Sequence, residues 1–366
     1  MLTGPRQSGK TTLCRMVLPD KPYVSLENPD KRAYALSDPK GFLAEYPDGV
    51  IIDEAQHSPE LFSYIQGIVD EKKQNCMFVL TGSQNFQLLH KISQSLAGRT
   101  AILKLLPFSL SEIAPIVEKM SLDDVLWHGF YPRIYDEKLD PKDALSFYFE
   151  TYVERDVRSV LQVKTLSSFQ RFVKLCAGRV GQLLNLSSLG NEAGISHTTA
   201  REWLSLLEAS YIVFLLPPHY KNYNKRLTKS PKLYFYDVGL AAYLLGIENT
   251  KQMQRDPLRG NLFENLVVME FLKKRYEEAA QPNLYFFRDS NKNEVDLIMT
   301  SGHDLWAIEI KSGQTIASDF FKGLDYFAEL HKAGKERLKK FLVYGGDQEQ
   351  KRSSAHVIPW NRLDEI

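Results

Sequence analysis

Gly4-Pro5-Arg6-Gln7-Ser8-Gly9-Lys10-Thr11-Thr12 is a complete G-x-x-x-x-G-K-[ST] loop. In such a loop the backbone N–H groups cradle phosphates, the lysine reaches the β and γ phosphates, and the first threonine hydroxyl holds Mg²⁺. The motif predicts a nucleotide site made of residues 4–12, with a strand entering it and a helix leaving it. The loop begins three residues into the chain, so Met1-Leu2-Thr3 supplies only the last residues of the expected strand. The remainder is assigned to an upstream segment, a partner or a different start.

Downstream, Val50-Ile51-Ile52-Asp53-Glu54 is an apolar strand ending in two carboxylates. Asp53 is expected to hold Mg²⁺ through water, and Glu54 to polarise the water that attacks the γ-phosphate. Met77-Phe78-Val79-Leu80-Thr81-Gly82-Ser83 is a further buried strand, and Ser83 at its tip is a candidate contact to the γ-phosphate or the water. Arg99, after Gly98, is a candidate for transition-state charge, in cis or from a neighbouring subunit. The alternative for Arg99 is an ordinary surface arginine.

The 366 residues carry 46 Lys and Arg against 45 Asp and Glu, a net charge of +1, so any basic surface must be local. Three widely spaced cysteines argue against a disulfide framework or a cysteine zinc site and suit a reducing compartment. The eight histidines do not fall into a metal-ligand spacing. No apolar run approaches the roughly 18 residues of a membrane span, and no signal peptide precedes the loop, so a cytoplasmic protein is expected.

Hydrophobic patterning predicts strands at 23–26, 50–52, 77–80 and 101–105 with a helix at 61–69, the alternation of a parallel α/β sheet. Residues 121–178 read as helical. Helices at 186–193 and 198–209 flank Gly194-Ile195-Ser196, with Ser196 as N-cap of the second. Strands at 211–216 and 233–236 follow, separated by Lys221, Lys225, Arg226 and Lys229. Two helices and a basic hairpin make a winged-helix pattern, with Arg201 and Trp203 near the start of a recognition helix and residues 221–226 as a phosphate-tracking wing. Docking of a protein is the other use of such a module. Residues 217–232 and 246–257 read as linkers. Beyond them a helix at 262–276, strands at 284–288, 294–299, 306–311 and 341–344, and a helix near 318–331 predict a mixed α/β module.

That module carries Glu264, then Glu294-Val295-Asp296, then Glu309-Ile310-Lys311. Residues i and i+2 of a strand share a face, so Glu309 and Lys311 point the same way. Asp296 and Glu309 could chelate Mg²⁺, Glu264 could complete the shell, and Lys311 could orient or deprotonate the attacking water. Asp followed one strand later by Glu-x-Lys resembles the PD-(D/E)XK nuclease signature. A Glu-x-Lys pair is also common on an exposed strand face, and a nuclease-like fold can persist as a binding platform.

Residues 4–12, Leu26-Glu27, residues 50–56, residues 80–83 and Ser95-Leu96-Ala97-Gly98-Arg99 together resemble the AAA+ ATPases of bacteria and archaea that carry a C-terminal domain of unknown function. The likeness continues through Tyr152-Val153-Glu154-Arg155-Asp156 and Tyr234-Phe235-Tyr236-Asp237-Val238-Gly239-Leu240, essentially the whole chain. It implies an ATPase core, a winged helix and a restriction-endonuclease-like fold, with ATP and Mg²⁺ as cofactors. The expected organisation is a core at 1–120, a helical region at 121–178, a winged helix at 179–245 and a nuclease-like module at 257–366. The expected activity is ATP hydrolysis coupled to action on DNA, with homo-oligomerisation permitted by an arginine in trans. The alternative is a nucleotide-gated interaction module whose nuclease-like fold is inactive.

Overall fold

The computed structural model describes residues 1–82, 96–153, 157, 166–219, 230–332 and 337–366. Ser83, Glu154, Arg155, Asp156 and the basic segment 221–226 lie outside the described residues. The chain separates into two compact units: residues 1–107 with 209–211 and 276–279, and the remainder of 108–366.

The first unit is built on a five-stranded parallel sheet. Its strands are β1 (Leu2–Thr3), β2 (Tyr23–Ser25), β3 (Val50–Asp53), β4 (Phe78–Gly82) and β5 (Leu103–Lys104), in the order β2-β3-β4-β1-β5. The expected strands are present, each within a few residues of its predicted bounds. β1 has two residues but is central: Leu2 pairs with Thr81 on one side and Leu103 on the other. β3 is buried on both faces, as a parallel strand of continuous Val and Ile should be. Phe42, Phe62, Ile65 and Leu80 fill the layer beside it. Helix α1 (Lys10–Val17) leaves the loop, α2 (Pro29–Ser37) and α3 (Pro39–Ala44) follow β2, and α4 (Leu61–Lys72) follows β3. Asn28 and Asp38 cap α2 and α3, each with proline at the first helical turn.

The second unit begins with short helices, among them α5 (Leu122–His128) and α6 (Pro141–Tyr152), and continues with α7 (Leu166–Ala177), α8 (Leu186–Ala193) and α9 (His197–Ala209). Ser196 caps α9 as expected, its Oγ accepting from Thr199 N at 3.1 Å. Trp203, expected near a DNA-reading surface, is instead core: it packs edge-on to Phe169 and Phe172 of α7, because positions 200, 203, 204 and 207 form the buried stripe of the helix. Arg201 is exposed.

Strands β6 (Val213–Leu216) and β7 (Lys232–Phe235) pair antiparallel. The predicted linker 217–232 therefore ends one residue too late, since Lys232 opens β7 and is itself buried. On the edge of β7 away from β6, Leu233 exchanges backbone bonds with Gly181 N and Gln182 O. Phe235 is met there by a side chain: Phe235 N donates to Asn265 Oδ1 at 2.6 Å, and Asn265 Nδ2 donates to Phe235 O at 2.9 Å. Helix α10 (Val238–Leu244) starts at Asp237, whose buried carboxylate accepts from Leu240 N and Phe130 N.

Helix α11 (Arg259–Glu277) leads into a six-stranded mixed sheet. It comprises β8 (Leu284–Arg288), β9 (Glu294–Ser301), β10 (Asp304–Lys311), β11 (Arg337–Tyr344), β12 (Gln350–Lys351) and β13 (His356–Pro359), ordered β12-β13-β11-β10-β9-β8. β10 pairs antiparallel with β9 and parallel with β11, with helix α12 (Lys322–His331) between β10 and β11 in sequence. Val295, Ile298, Leu305, Leu324, Phe327 and Leu342 form its core. β12 and β13 have no counterpart among the predicted strands.

Candidate functional site

Thr3 ends β1, and the chain turns through residues 4–9 into α1. Gly4 has φ +147°, and a Cβ there would stand 2.0 Å from the carbonyl oxygen of Leu105, so only glycine fits the first turn. Ser8 Oγ ties the loop to itself by donating to Pro5 O at 3.0 Å. Gly9, left-handed at φ 89°, leads into a helix that has neither a side-chain cap nor an acidic residue in its first turn. The positive end of α1 is thus left toward the loop. Pro5 is buried, Arg6 half-buried, and Gln7 and Thr12 exposed.

Lys10 is 7 % exposed. Its Nζ donates to two neutral acceptors, Gly4 O at 3.1 Å and Pro5 O at 2.6 Å. Burial pulls its pKa down to about 8, against the opposing charges of Glu54 and Asp53. Asp53 gathers donors from two strands, a helix and the residue that follows it. Thr11 Oγ1 and Tyr23 OH donate to its Oδ2 at 2.9 and 2.7 Å, while Glu54 N at 3.1 Å and Thr81 Oγ1 donate to Oδ1. Burial first, and then the bond to Asp53, push the Tyr23 phenol up to about 12. Glu54 is left-handed (φ 53°), a strained state for a non-glycine residue, and one carboxylate oxygen accepts from Gln56 Nε2.

The fold therefore brings Lys10, Thr11, Asp53 and Glu54 to one end of the parallel sheet. Arg99 is engaged elsewhere: its Nε lies 2.5 Å from Asp70 Oδ1 of α4 in an exposed pair. Tyr23, Gln56 and Thr81 are partners that the motif does not contain. The signal for Thr81 and Tyr23 is positional: Thr81 lies near the end of β4 beside Asp53, and Tyr23 opens β2, from where its long side chain reaches Asp53.

The second unit gathers the C-terminal carboxylates around two amines. Lys311 Nζ lies 2.5 Å from Glu309 Oε1 and 3.3 Å from Asp296 Oδ2, which also accepts from Ile310 N. Lys232 Nζ lies 2.8 Å from Glu264 Oε1, 2.5 Å from Glu294 Oε1 and 3.9 Å from Asp296 Oδ1. Tyr234 OH donates to the same oxygen of Glu264 at 2.5 Å. Burial, then the charge of Asp296, raise Glu309 to about 8 and Glu264 to about 7. Burial works against the charged form of both lysines, but the carboxylates around them win and hold each ammonium above its usual range.

All four residues expected at this site are thus drawn together, and Lys232, Glu294 and Tyr234 join them. Among the described residues no three His, Cys, Asp or Glu side chains converge as a metal-holding group. The place between the carboxylates is taken by ammonium.

Comparison with known families assigns residues 1–114 to a profile described as AAA domain. Residues 119–251 and 259–363 match two profiles described as domains of unknown function, DUF8612 and DUF4143. Uncharacterized protein Rv2008c of Mycobacterium tuberculosis is 32 % identical over 321 residues, spanning 86 % of this chain and 70 % of that protein. Uncharacterized protein Mb2031c of Mycobacterium bovis matches equally.

The chain belongs to their family, and it carries an N-terminal AAA domain followed by domains of unknown function.

An uncharacterized Haemophilus influenzae protein is 24 % identical over 216 residues, 55 % of this chain and 52 % of that one. In this AAA-domain family member, residues 4–12, Asp53 and Glu54 all fall inside the AAA domain. Lys232 lies in the middle domain and its carboxylates in the C-terminal one, so the ionic cluster joins two separately recognised domains of the second unit. Among the described residues no helix is long and apolar enough to cross a membrane.

Proposed function

We propose that the chain is a Mg²⁺-dependent ATPase that couples ATP binding and hydrolysis to a winged-helix and nuclease-like C-terminal half acting on DNA. The observation that carries the nucleotide part is the contact of Thr11 Oγ1 with Asp53 Oδ2 at 2.9 Å beside the buried Lys10. Hydroxyl and carboxylate oxygen are the donors Mg²⁺ prefers, so Thr11 and Asp53 fit that ion. Bound there, it would neutralise charge on the β and γ phosphates.

The chain's own residues supply the rest. Loop N–H groups and the start of α1 bind phosphate, and Lys10 exchanges its two carbonyl partners for phosphate oxygen. Glu54 orients water and takes its proton, with Gln56 fixing the carboxylate. ATP turnover measured with and without DNA tests the coupling: stimulation supports it, and a DNA-independent rate removes it.

A second reading, a nucleotide-gated interaction module with an inactive nuclease-like fold, is favoured by one feature. Lys232 and Lys311 occupy the positions between the carboxylates. Incubating plasmid with the protein and Mg²⁺ or Mn²⁺, with Lys311→Ala as control, separates the two, because nicking that depends on Lys311 excludes the inactive module.

A further inference from the structure

Lys232 and Lys273 are the two buried lysines among the described residues of the second unit. Lys273 pairs with Glu270 of its own helix, whereas Lys232 faces carboxylates from other elements. The Lys232 side chain is 4 % exposed, against 31 % for Lys311 and 33 % for Arg288. It comes from β7, whereas Glu264, Glu294 and Asp296 come from α11 and β9. An ammonium is a compact point charge with three donors. Here Glu264, Glu294 and, at longer range, Asp296 surround it, and the Phe286 ring lies 5.6 Å away. A divalent ion among the same oxygens would need them drawn in to about 2.0–2.6 Å from a common centre, and Nζ stands between them, 2.8, 2.5 and 3.9 Å away. Asp296 divides its oxygens between the two amines: Oδ1 faces Lys232 at 3.9 Å, and Oδ2 serves Lys311 and Ile310 N. Glu309 Oε2, buried and without a hydrogen-bond partner, packs beside Gly323 of α12, where an added Cβ would come within 3.2 Å.

We propose that Lys232 is the resident cation of this cluster: it occupies the seat a divalent metal would take, locks β7 to α11 and β9, and excludes metal while it is in place. The oxygens of Glu264, Glu294 and Asp296 form a divalent-cation site only when the lysine is absent. This assignment stands on the second unit alone and does not depend on the nucleotide reading.

The test is a titration of the full-length, nucleotide-free protein with MnCl₂, following free Mn²⁺ by electron paramagnetic resonance. An Asp53→Asn background removes any contribution of the loop site. The parent is expected to bind no Mn²⁺ through the cluster. Lys232→Met is expected to gain one Mn²⁺ per chain, at least ~10-fold tighter than any binding by the parent, and Lys232→Met with Glu264→Gln to lose it. A Mn²⁺ site in the parent that Glu264→Gln removes would overturn the proposal. So would a folded Lys232→Met that binds none. If Lys232→Met does not fold alone, recovery of its circular dichroism by MnCl₂ supports the proposal, and failure to recover overturns it.

Discussion

Two buried lysines, Lys10 and Lys232, sit in the two units under opposite electrostatics. Lys10 is bonded to neutral carbonyls, and burial pulls its pKa down to about 8. Lys232 is at least as buried but has carboxylates for partners, and they carry its pKa upward. Burial acts on both in the same direction, so the partners decide the sign. A lysine bonded only to neutral carbonyls gains from an arriving anion, whereas one already bonded to carboxylates has little to gain from another ligand. The first arrangement suits a binding site and the second a lock.

The largest expected effect lies at the first site. Lys10→Ala and Glu54→Gln should each lower ATP turnover by ~10²–10⁴-fold, with Glu54→Gln still retaining nucleotide in a filter-binding assay. Parental rates in both variants would place the chemistry elsewhere and end the contrast.

Next comes stability. Lys232→Met should cost the second unit about 3–5 kcal/mol in denaturant unfolding, because Glu264 and Glu294 lose a buried partner. Lys10→Met, which removes a cation with no carboxylate bonded to it, should leave the first unit's unfolding within about 1 kcal/mol. Equal losses from the two substitutions would break the comparison.

Titration separates the sites further. Glu309 and Glu264 are raised to about 8 and about 7 from 4.5, so the folded state holds their protons in a range where the unfolded chain has released them. Their contribution is complete below pH 4.5 and is lost as pH rises to about 8. Lys10 behaves inversely: below pH 8 its buried charge opposes folding, and between 8 and 10.5 the folded state sheds a proton the unfolded state keeps, so stability rises. Melting curves of the parent should show the second unit's transition falling between pH 5 and 8, and Glu309→Gln should flatten that slope.

The smallest effect is expected from Tyr23→Phe, which removes one of the two bonds to Asp53 Oδ2 and should cost about 1 kcal/mol in the first unit.

The first site was nearly complete in the sequence, because loop, lysine and helix start are consecutive and Asp53 and Glu54 end one apolar strand. What escaped there, Thr81 and Tyr23, depends on which strands flank β3. The second site was legible in its carboxylates but not in its charge balance. Lys232 lies 32 residues before Glu264 and 64 before Asp296, at the edge of a predicted linker, and only the fold makes it their partner. Trp203 shows the same limit, since helical spacing puts it on a stripe without saying which side that stripe faces. β13 is short and ends in proline, features that weaken any strand reading.

The amide of Asn265 works as a pawl. It meets both the N–H and the carbonyl of Phe235, so it accepts β7 in one phase only. A slip of one residue would turn Lys232 onto the opposite face. Exchanging this uncharged side chain next to Glu264 therefore removes, without altering any charge, one of the contacts that keep Lys232 in register, beside the β6 ladder and the backbone bonds at Leu233.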